Sequence, residues 1–280
     1  MKRILVPCDF SDSAREAYKF ALDLAAANHG EVMVLKAIDL PVIMASGFDI
    51  QPFMYDPMLL TELEEDAKKN FDKLTKAYPA KSVPVSFYTN QGLVSVVIQQ
   101  FIEDNKPDLV VMGTNGASGS KEFLFGSNTE KIVRLSSVPV FAVRKAPAIS
   151  AIKNIVFPTN LHLDQHALAE KVKELQNFFN ATLHLLWINT PGTFRRDEEI
   201  NGLLNDYATQ YQLKNYTLNI RNDSDEQDGI IHFTHEIKAD MIAMATHGRR
   251  GLAHLFSGSI AEDVVNHVTC PIWTFSLRKK

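Results

Sequence analysis

KRILVPCDFSDSAREAYKFALDLAAANHGEVMVLKAID, residues 2–39, and KNIVFPTNLHLDQHALAEKVKELQNFFNATLHLLWIN, residues 153–189, align without a gap at an offset of 151, with Pro7 on Pro158 and Val34 on Leu185. Each reads as strand, proline, polar turn, amphipathic helix and second strand. Farther along, DLVVMGTNGASGSKEFLFGSNTEKIVRLSSVPVFAV (108–143) matches DMIAMATHGRRGLAHLFSGSIAEDVVNHVTCPIWTF (240–275) at an offset of 132, with Gly116 on Gly248 and Pro139 on Pro271. Self-similarity over the whole length marks a tandem duplication. The first copy holds 19 more residues between its second and third strands.

Each copy follows the pattern β-α-β-α-β-α-β-α-β. In the first, strands are expected near 3–8, 31–38, 83–88, 108–113 and 139–143, and helices near 12–28, 57–77, 92–104 and 127–136. Runs such as LVVM and VMVL are continuously apolar and β-branched, as a parallel sheet covered on both faces requires. The first helix repeats its apolar residues every three or four positions and stops at Gly30, expected as its left-handed terminus. The fold class is therefore α/β: two tandem doubly wound open parallel-sheet domains, five strands and four helices each, packed as a pseudo-dimer. The domains are expected at 1–145 and 151–280, joined by the short linker RKAPAISA (144–151). VPVFAV and CPIWTF, the last strands of the copies, are apolar edges that need covering. They are expected to pair with each other, antiparallel, around Val140 and Ile272.

At 280 residues, 45% hydrophobic and 22% charged, the chain has ordinary globular composition. A net charge of −4 weighs against nucleic acid as partner. The apolar run from Ile4 ends at Pro7, too short for a signal-peptide core, and no segment approaches the roughly 20 apolar residues of a membrane helix. The expected location is the cytoplasm. Cys8 and Cys270, one per copy, read as reduced, buried thiols.

The segment from Gly113 to Glu130 spends four glycines, Gly113, Gly116, Gly119 and Gly126, between a buried strand and a helix with Ser127 as its cap. Phosphate held without a dedicated lysine rests on backbone amides, which glycine leaves accessible, and on the positive end of a helix. Neither GxxxxGK[ST] nor a GxGxxG after the first strand is present. Two readings stay open: an anion-binding loop, or a strand-to-helix turn that needs glycine for its own sake. Asp9 likewise either meets a ligand or caps the first helix with Ser11. The insertion within LPVIMASGFDIQPFMYDPMLL reads as a lid, a partner surface or a docked loop. His232 and His235, at i and i+3 with Glu236 beside them, lack an identifiable companion ligand, so no metal is assigned. No nucleophile–base–acid constellation stands out, so no catalytic residue is assigned.

Gly113, Gly116, Gly126 and Ser127 match the G-x2-G-x9-G-[ST] loop, and the chain resembles the universal stress protein family from the opening ILVPCDFS to the last strand. The resemblance implies ATP, with or without Mg, in the first copy. Asp9 would meet the nucleoside, and Gly113, Gly116, Gly126, Ser127 and Asn128 would hold the phosphates. It also implies a stress-response or regulatory role exerted on an unidentified protein partner, homodimer formation being compatible with it. It implies no fast enzyme, slow ATP hydrolysis staying open, and the different-class alternative is a nucleotide-free interaction and dimerisation module. The second copy departs from the pattern: Ala245 replaces the first glycine and Asn160 replaces Asp9, while Gly248, Gly258 and Ser259 are kept and Arg249 and Arg250 are added. One nucleotide per chain is expected, with the second copy empty or holding a small anion.

Overall fold

The computed structural model describes residues 1–39, 57–80, 82–114, 127–161, 166–246, 264 and 267–276. The first copy runs β1 (Arg3–Pro7), α1 (Asp12–Asn28), β2 (Glu31–Ile38), α2 (Pro57–Ala77), β3 (Val85–Gln91), α3 (Val94–Asn105), β4 (Leu109–Gly113), α4 (Ser127–Leu135) and β5 (Val140–Val143). After a 3-10 turn at Ile149–Ala151, the second runs β6 (Asn154–Pro158), α5 (His166–Phe179), β7 (Thr182–Asn189), α6 (Asp197–Gln210), β8 (Tyr216–Asn222), α7 (Glu226–Glu236), β9 (Met241–Thr246) and β10 (Ile272–Ser276). Of a fourth helix in the second copy, only Val264 and His267 fall among the described residues.

All ten strands form one sheet in the order β3-β2-β1-β4-β5-β10-β9-β6-β7-β8. Within each copy the strands are parallel, and the copies join where β5 and β10 pair antiparallel, Trp273 opposite Phe141 and Thr274 opposite Val140. The expected seam is therefore present, and it turns two apolar edges into the centre of the sheet. The outer edges are β3, which largely alternates between exposed and half-buried residues, and β8, which is mostly half-buried.

Side chains that alternate along each strand feed two cores. Ile4 and Val6 join one face of the sheet with α1, α5 and α6, and Leu5 joins the other with α3, α4 and α7. Both cores continue across the seam. Thr274 Oγ1 donates to the carbonyl of Val140 at 3.4 Å, and Thr246 Oγ1 donates to that of Val133, in α4 of the other copy, at 3.2 Å.

The duplication reaches the level of single hydrogen bonds. Asp108 Oδ2 accepts the amides of Lys2 (2.6 Å) and Arg3 (3.0 Å), and its counterpart Asp240 accepts those of Lys153 and Asn154, both at 2.9 Å. Burial pushes the Asp108 carboxyl up, but the two amides outweigh it and hold the pKa below the ordinary value. Left-handed backbone recurs at matched positions: Phe10 and Leu161 (φ 65° and 58°), His29 and Asn180 (51° and 48°), Lys106 and Lys238 (47° and 50°).

The end of α1 corrects one sequence expectation. The left-handed residue is His29, and Gly30 serves a different need, since a Cβ there would lie 2.3 Å from the carbonyl oxygen of Lys2. Close approach of two backbones requires this glycine. Among the described residues no helix is long and apolar enough to cross a membrane.

Candidate functional site

In sheets of this order, ligands sit at the carboxyl ends of the strands where the crossover direction reverses. Here that point lies between β1 and β4, adjacent in the sheet with Ile4 opposite Leu109. Asp9 follows β1 and Gly113 ends β4, so two residues 104 positions apart in sequence stand at the carboxyl ends of adjacent strands.

Asp9 is exposed, and its Oδ1 accepts the amide of Ser11 at 3.0 Å, shaping the turn ahead of α1. The cap itself is Ser11, whose Oγ accepts the amide of Ala14 at 3.3 Å. In the second copy Thr159 Oγ1 accepts the amide of Leu161 at 3.1 Å, so a hydroxyl one position earlier holds the matching turn. Cys8, next to Asp9, is buried, and burial pushes its thiol up to about 12. Cys270 is pushed up to about 12 for the same reason, and both are free thiols. A neutral thiol is a poor nucleophile.

Gly113 has a structural task that sequence reading did not identify. A Cβ on it would meet the carbonyl carbon and oxygen of Ser13 at 2.5 and 2.6 Å and the amide nitrogen of Ala14 at 2.8 Å. The first turn of α1 thus rests directly on the end of β4. Gly113 is not in the left-handed region, so the demand is for space and not for an unusual backbone angle. Ala245 fills the matching place, 9% exposed, and α5 is described only from His166, which aligns with Arg15 inside α1.

Thr129 Oγ1 donates to the Gly113 carbonyl at 3.0 Å and ties the first turn of α4 to the end of β4. Ser127 is exposed and is the first helical residue of α4, with Asn128 half-buried behind it. Gly116, Gly119 and Gly126 lie outside the described residues, as do Gly248, Arg249, Arg250, Gly258, Ser259 and the insertion up to residue 56.

His232 and Glu236 are already partnered. His232 Nδ1 lies 2.8 Å from Asp223 Oδ2, Arg221 bonds Asp223 at 3.0 Å, and Arg221 reaches Glu236 at 2.7 Å. The His232 contact, with help from Arg221, holds the Asp223 carboxyl at about 2. No group of three or more His, Cys, Asp or Glu side chains placed to hold a metal occurs among the described residues.

The second copy has a cleft of about 380 Å³ at the carboxyl ends of β6 and β7, with Asn160, Trp187, Phe194, Arg195 and Glu226 among its walls. Sequence reading passed over it. Its outer wall is the loop after β7, fixed at the base by the buried Asn189, whose Oδ1 accepts the Arg195 amide at 2.9 Å and whose Nδ2 donates to the Arg195 carbonyl at 3.1 Å. The one available signal was an asparagine ending an apolar strand just before TPG.

The sequence profile described as the universal stress protein family matches this chain twice, over residues 1–144 and 151–276. Universal stress protein MJ0531 of Methanocaldococcus jannaschii is 30% identical over 150 residues, covering 51% of this chain and 82% of the relative. Universal stress protein Slr1230 of Synechocystis is 23% identical over 98% of this chain and 100% of its own length. A crystal structure of a universal stress protein from Archaeoglobus fulgidus superposes with a TM-score of 0.75 at 19% identity, covering 98% of both chains, and so shares the fold. With two consecutive profile matches accounting for nearly the whole chain, this protein belongs to the universal stress protein family, as a tandem member.

Proposed function

We infer that the first copy binds ATP, with or without Mg, and that occupancy regulates contacts with a protein partner in a cytoplasmic stress response. The observation that supports this reading is that Asp9 and Gly113 end adjacent strands, with the first turn of α4 tied to the Gly113 carbonyl through Thr129. An acidic side chain there suits the hydroxyls of a sugar, since a carboxylate accepts two charge-assisted hydrogen bonds. The amides that begin α4 suit phosphate. On this reading Asp9 meets the nucleoside, while Gly113, Gly116, Gly126, Ser127 and Asn128 form the phosphate cradle, in a domain spanning 1–145 beside a second at 151–280. The role is one of binding, with no catalytic residue assigned.

One observation favours the alternative, a nucleotide-free interaction and dimerisation module: the packing of Gly113 on α1 gives that glycine a reason to exist without any ligand. Titration calorimetry separates the two. ATP should bind with one site per chain, and Asp9→Asn should weaken it roughly five- to tenfold, the equivalent of about 1 kcal/mol for a weakened charge-assisted bond. Gly116→Val should abolish binding while leaving the unfolding transition in place. Unchanged affinity in both variants refutes the nucleotide site.

A further inference from the structure

The seam covers β5 and β10 with each other, which leaves β3 and β8 as the edges through which the sheet can grow. A bare edge invites pairing, and proteins guard it with charge, proline or a bulge. β8 is guarded. It carries Arg221, tied to Asp223 and Glu236, and the helices beside it open on acidic residues, Asp197, Glu198 and Glu199 in α6 and Glu226 and Asp228 in α7. β3, VSFYTNQ, has no charge and no proline, and its register with β2 runs unbroken from Val85 to Gln91.

Pairing with β2 decides which groups of β3 face outward. The Val32 amide donates to the Pro84 carbonyl at 2.9 Å and the Gly92 amide to that of Ile38 at 3.0 Å, so in this parallel register the amides and carbonyls of Ser86, Tyr88 and Asn90 face β2. Those of Val85, Phe87, Thr89 and Gln91 face away, and among the described residues they meet no partner. This alternation is self-complementary. Against an antiparallel second copy with Tyr88 on the twofold axis, Phe87 pairs with Thr89 and Val85 with Gln91, each in hydrogen-bonded positions, and no like charges meet.

The helix alongside gives an independent sign. Leu93 is the N-cap of α3, makes no capping bond and is 65% exposed. Both features work against the isolated chain, because leucine leaves the first amides of the helix without a side-chain acceptor and holds apolar surface in water. The second copy has Asp225 at the matching position, and its Oδ1 accepts the Asp228 amide at 2.8 Å. Val96, 58% exposed, matches Asp228, and Tyr88, 37% exposed, matches Asn219. Tyr88 meets Phe101 of α3 edge-on, with ring centroids 5.0 Å apart, and Leu93, about two turns before Phe101, falls on the same flank of the helix. The stripe of Tyr88, Leu93 and Val96 is thus apolar where its duplicate is polar and acidic.

We propose that β3 pairs antiparallel with β3 of a second copy of this chain, about a twofold axis at Tyr88, with Leu93 and Val96 of both copies packed over the junction. The product is a closed dimer with one continuous sheet. The stripe selects β3 over the β8 edge of another chain, since that edge would lay it beside acidic helices. The proposal stands independently of nucleotide binding.

Sedimentation velocity on the full chain, from about 1 to 100 µM, should show a monomer–dimer equilibrium with a midpoint on the order of 10 µM, the weak range suited to a small edge. Leu93→Asp, which introduces the cap that α7 already has, should weaken the dimer by about tenfold or more while the thermal midpoint of the monomer stays or rises. Thr89→Pro removes an outward amide, leaves the bonds to β2 in place and should abolish the dimer. If that variant fails to fold, Leu93→Asp carries the test alone. Mild oxidation should link Tyr88→Cys into a covalent dimer, because facing residues at such a pair have Cβ atoms about 4.5 Å apart. The wild type and Asn219→Cys, the matching position on β8, should stay unlinked. A monomer at every concentration, a dimer unchanged by Leu93→Asp, equal cross-linking of Asn219→Cys, or growth beyond the dimer through β3-to-β8 pairing would each overturn the proposal.

Discussion

The end of β4 and the end of β9 are the same place in two copies of one fold, and they differ by a methyl group. In the first copy Gly113 lets the backbone of Ser13 and Ala14 rest on the strand, so that α1 starts immediately over the point where β1 and β4 part. In the second copy Ala245 is accommodated, and nothing comparable is described before His166. The lesson is that a glycine inside a ligand-loop motif can be retained for helix packing, so its replacement does not by itself report loss of a ligand. The charges diverge in parallel. The β8–α7 side carries the ladder of His232, Asp223, Arg221 and Glu236, where the first copy has Gln100, Gly92, Asn90 and Asp104.

The largest expected effect tests the methyl group directly. Gly113→Val should destabilise the protein by about 3 kcal/mol or more, because its Cβ would press on main-chain atoms that cannot rotate away. The reverse exchange, Ala245→Gly, should cost only about 0.5–1 kcal/mol, the usual entropic penalty of glycine in a strand. Denaturant midpoints measure both, and equal losses would end the comparison.

A smaller effect tests the ladder. The folded pKa of Asp223, about 2, lies below the ordinary 3.8, so its contribution is fully present above the unfolded value and is lost as pH falls through the folded one. With its side chain 14% exposed, that contribution is on the order of 2 kcal/mol at pH 5 and should fall by roughly half at pH 3. Asp223→Asn should therefore destabilise the protein at pH 5 and distinctly less at pH 3. Asn90→Gln, at the place that matches Arg221 in the first copy, should show no such pH dependence. A pH-independent loss in Asp223→Asn would show that the ladder contributes through packing alone.

The smallest effect concerns what joins the copies. Thr246→Val removes a buried hydrogen bond to α4 of the other copy and leaves the Val133 carbonyl one partner short, for a loss of about 1–2 kcal/mol. If the copies unfold as one unit, the single transition should shift without splitting. A transition that splits in two would show that the continuous sheet does not make them cooperative.

Much of this was legible in the residues. The strand and helix order, the helix over 12–28 and the covering of two apolar last strands by each other all follow from periodicity, turn residues and the cost of an exposed edge. Asp9 and Gly113 were each legible as lying at the carboxyl end of a strand, and the sheet order makes those two strands adjacent. Other features were not. That His29 takes the left-handed angle while Gly30 makes room for Lys2 depends on which two chain segments touch.

By itself, then, the sequence determined what repeats at short range: two copies, the type and order of their elements, and the residues with no choice but burial. Tertiary structure alone decided what depends on approach between distant segments. It assigned Gly113 to helix packing, and it gathered Asn160, Trp187, Arg195 and Glu226 around one cleft. The physical reason is that periodicity and turn chemistry act over a few neighbouring residues, whereas steric exclusion and the pairing of buried charge act between atoms that only the completed sheet brings within a few ångströms.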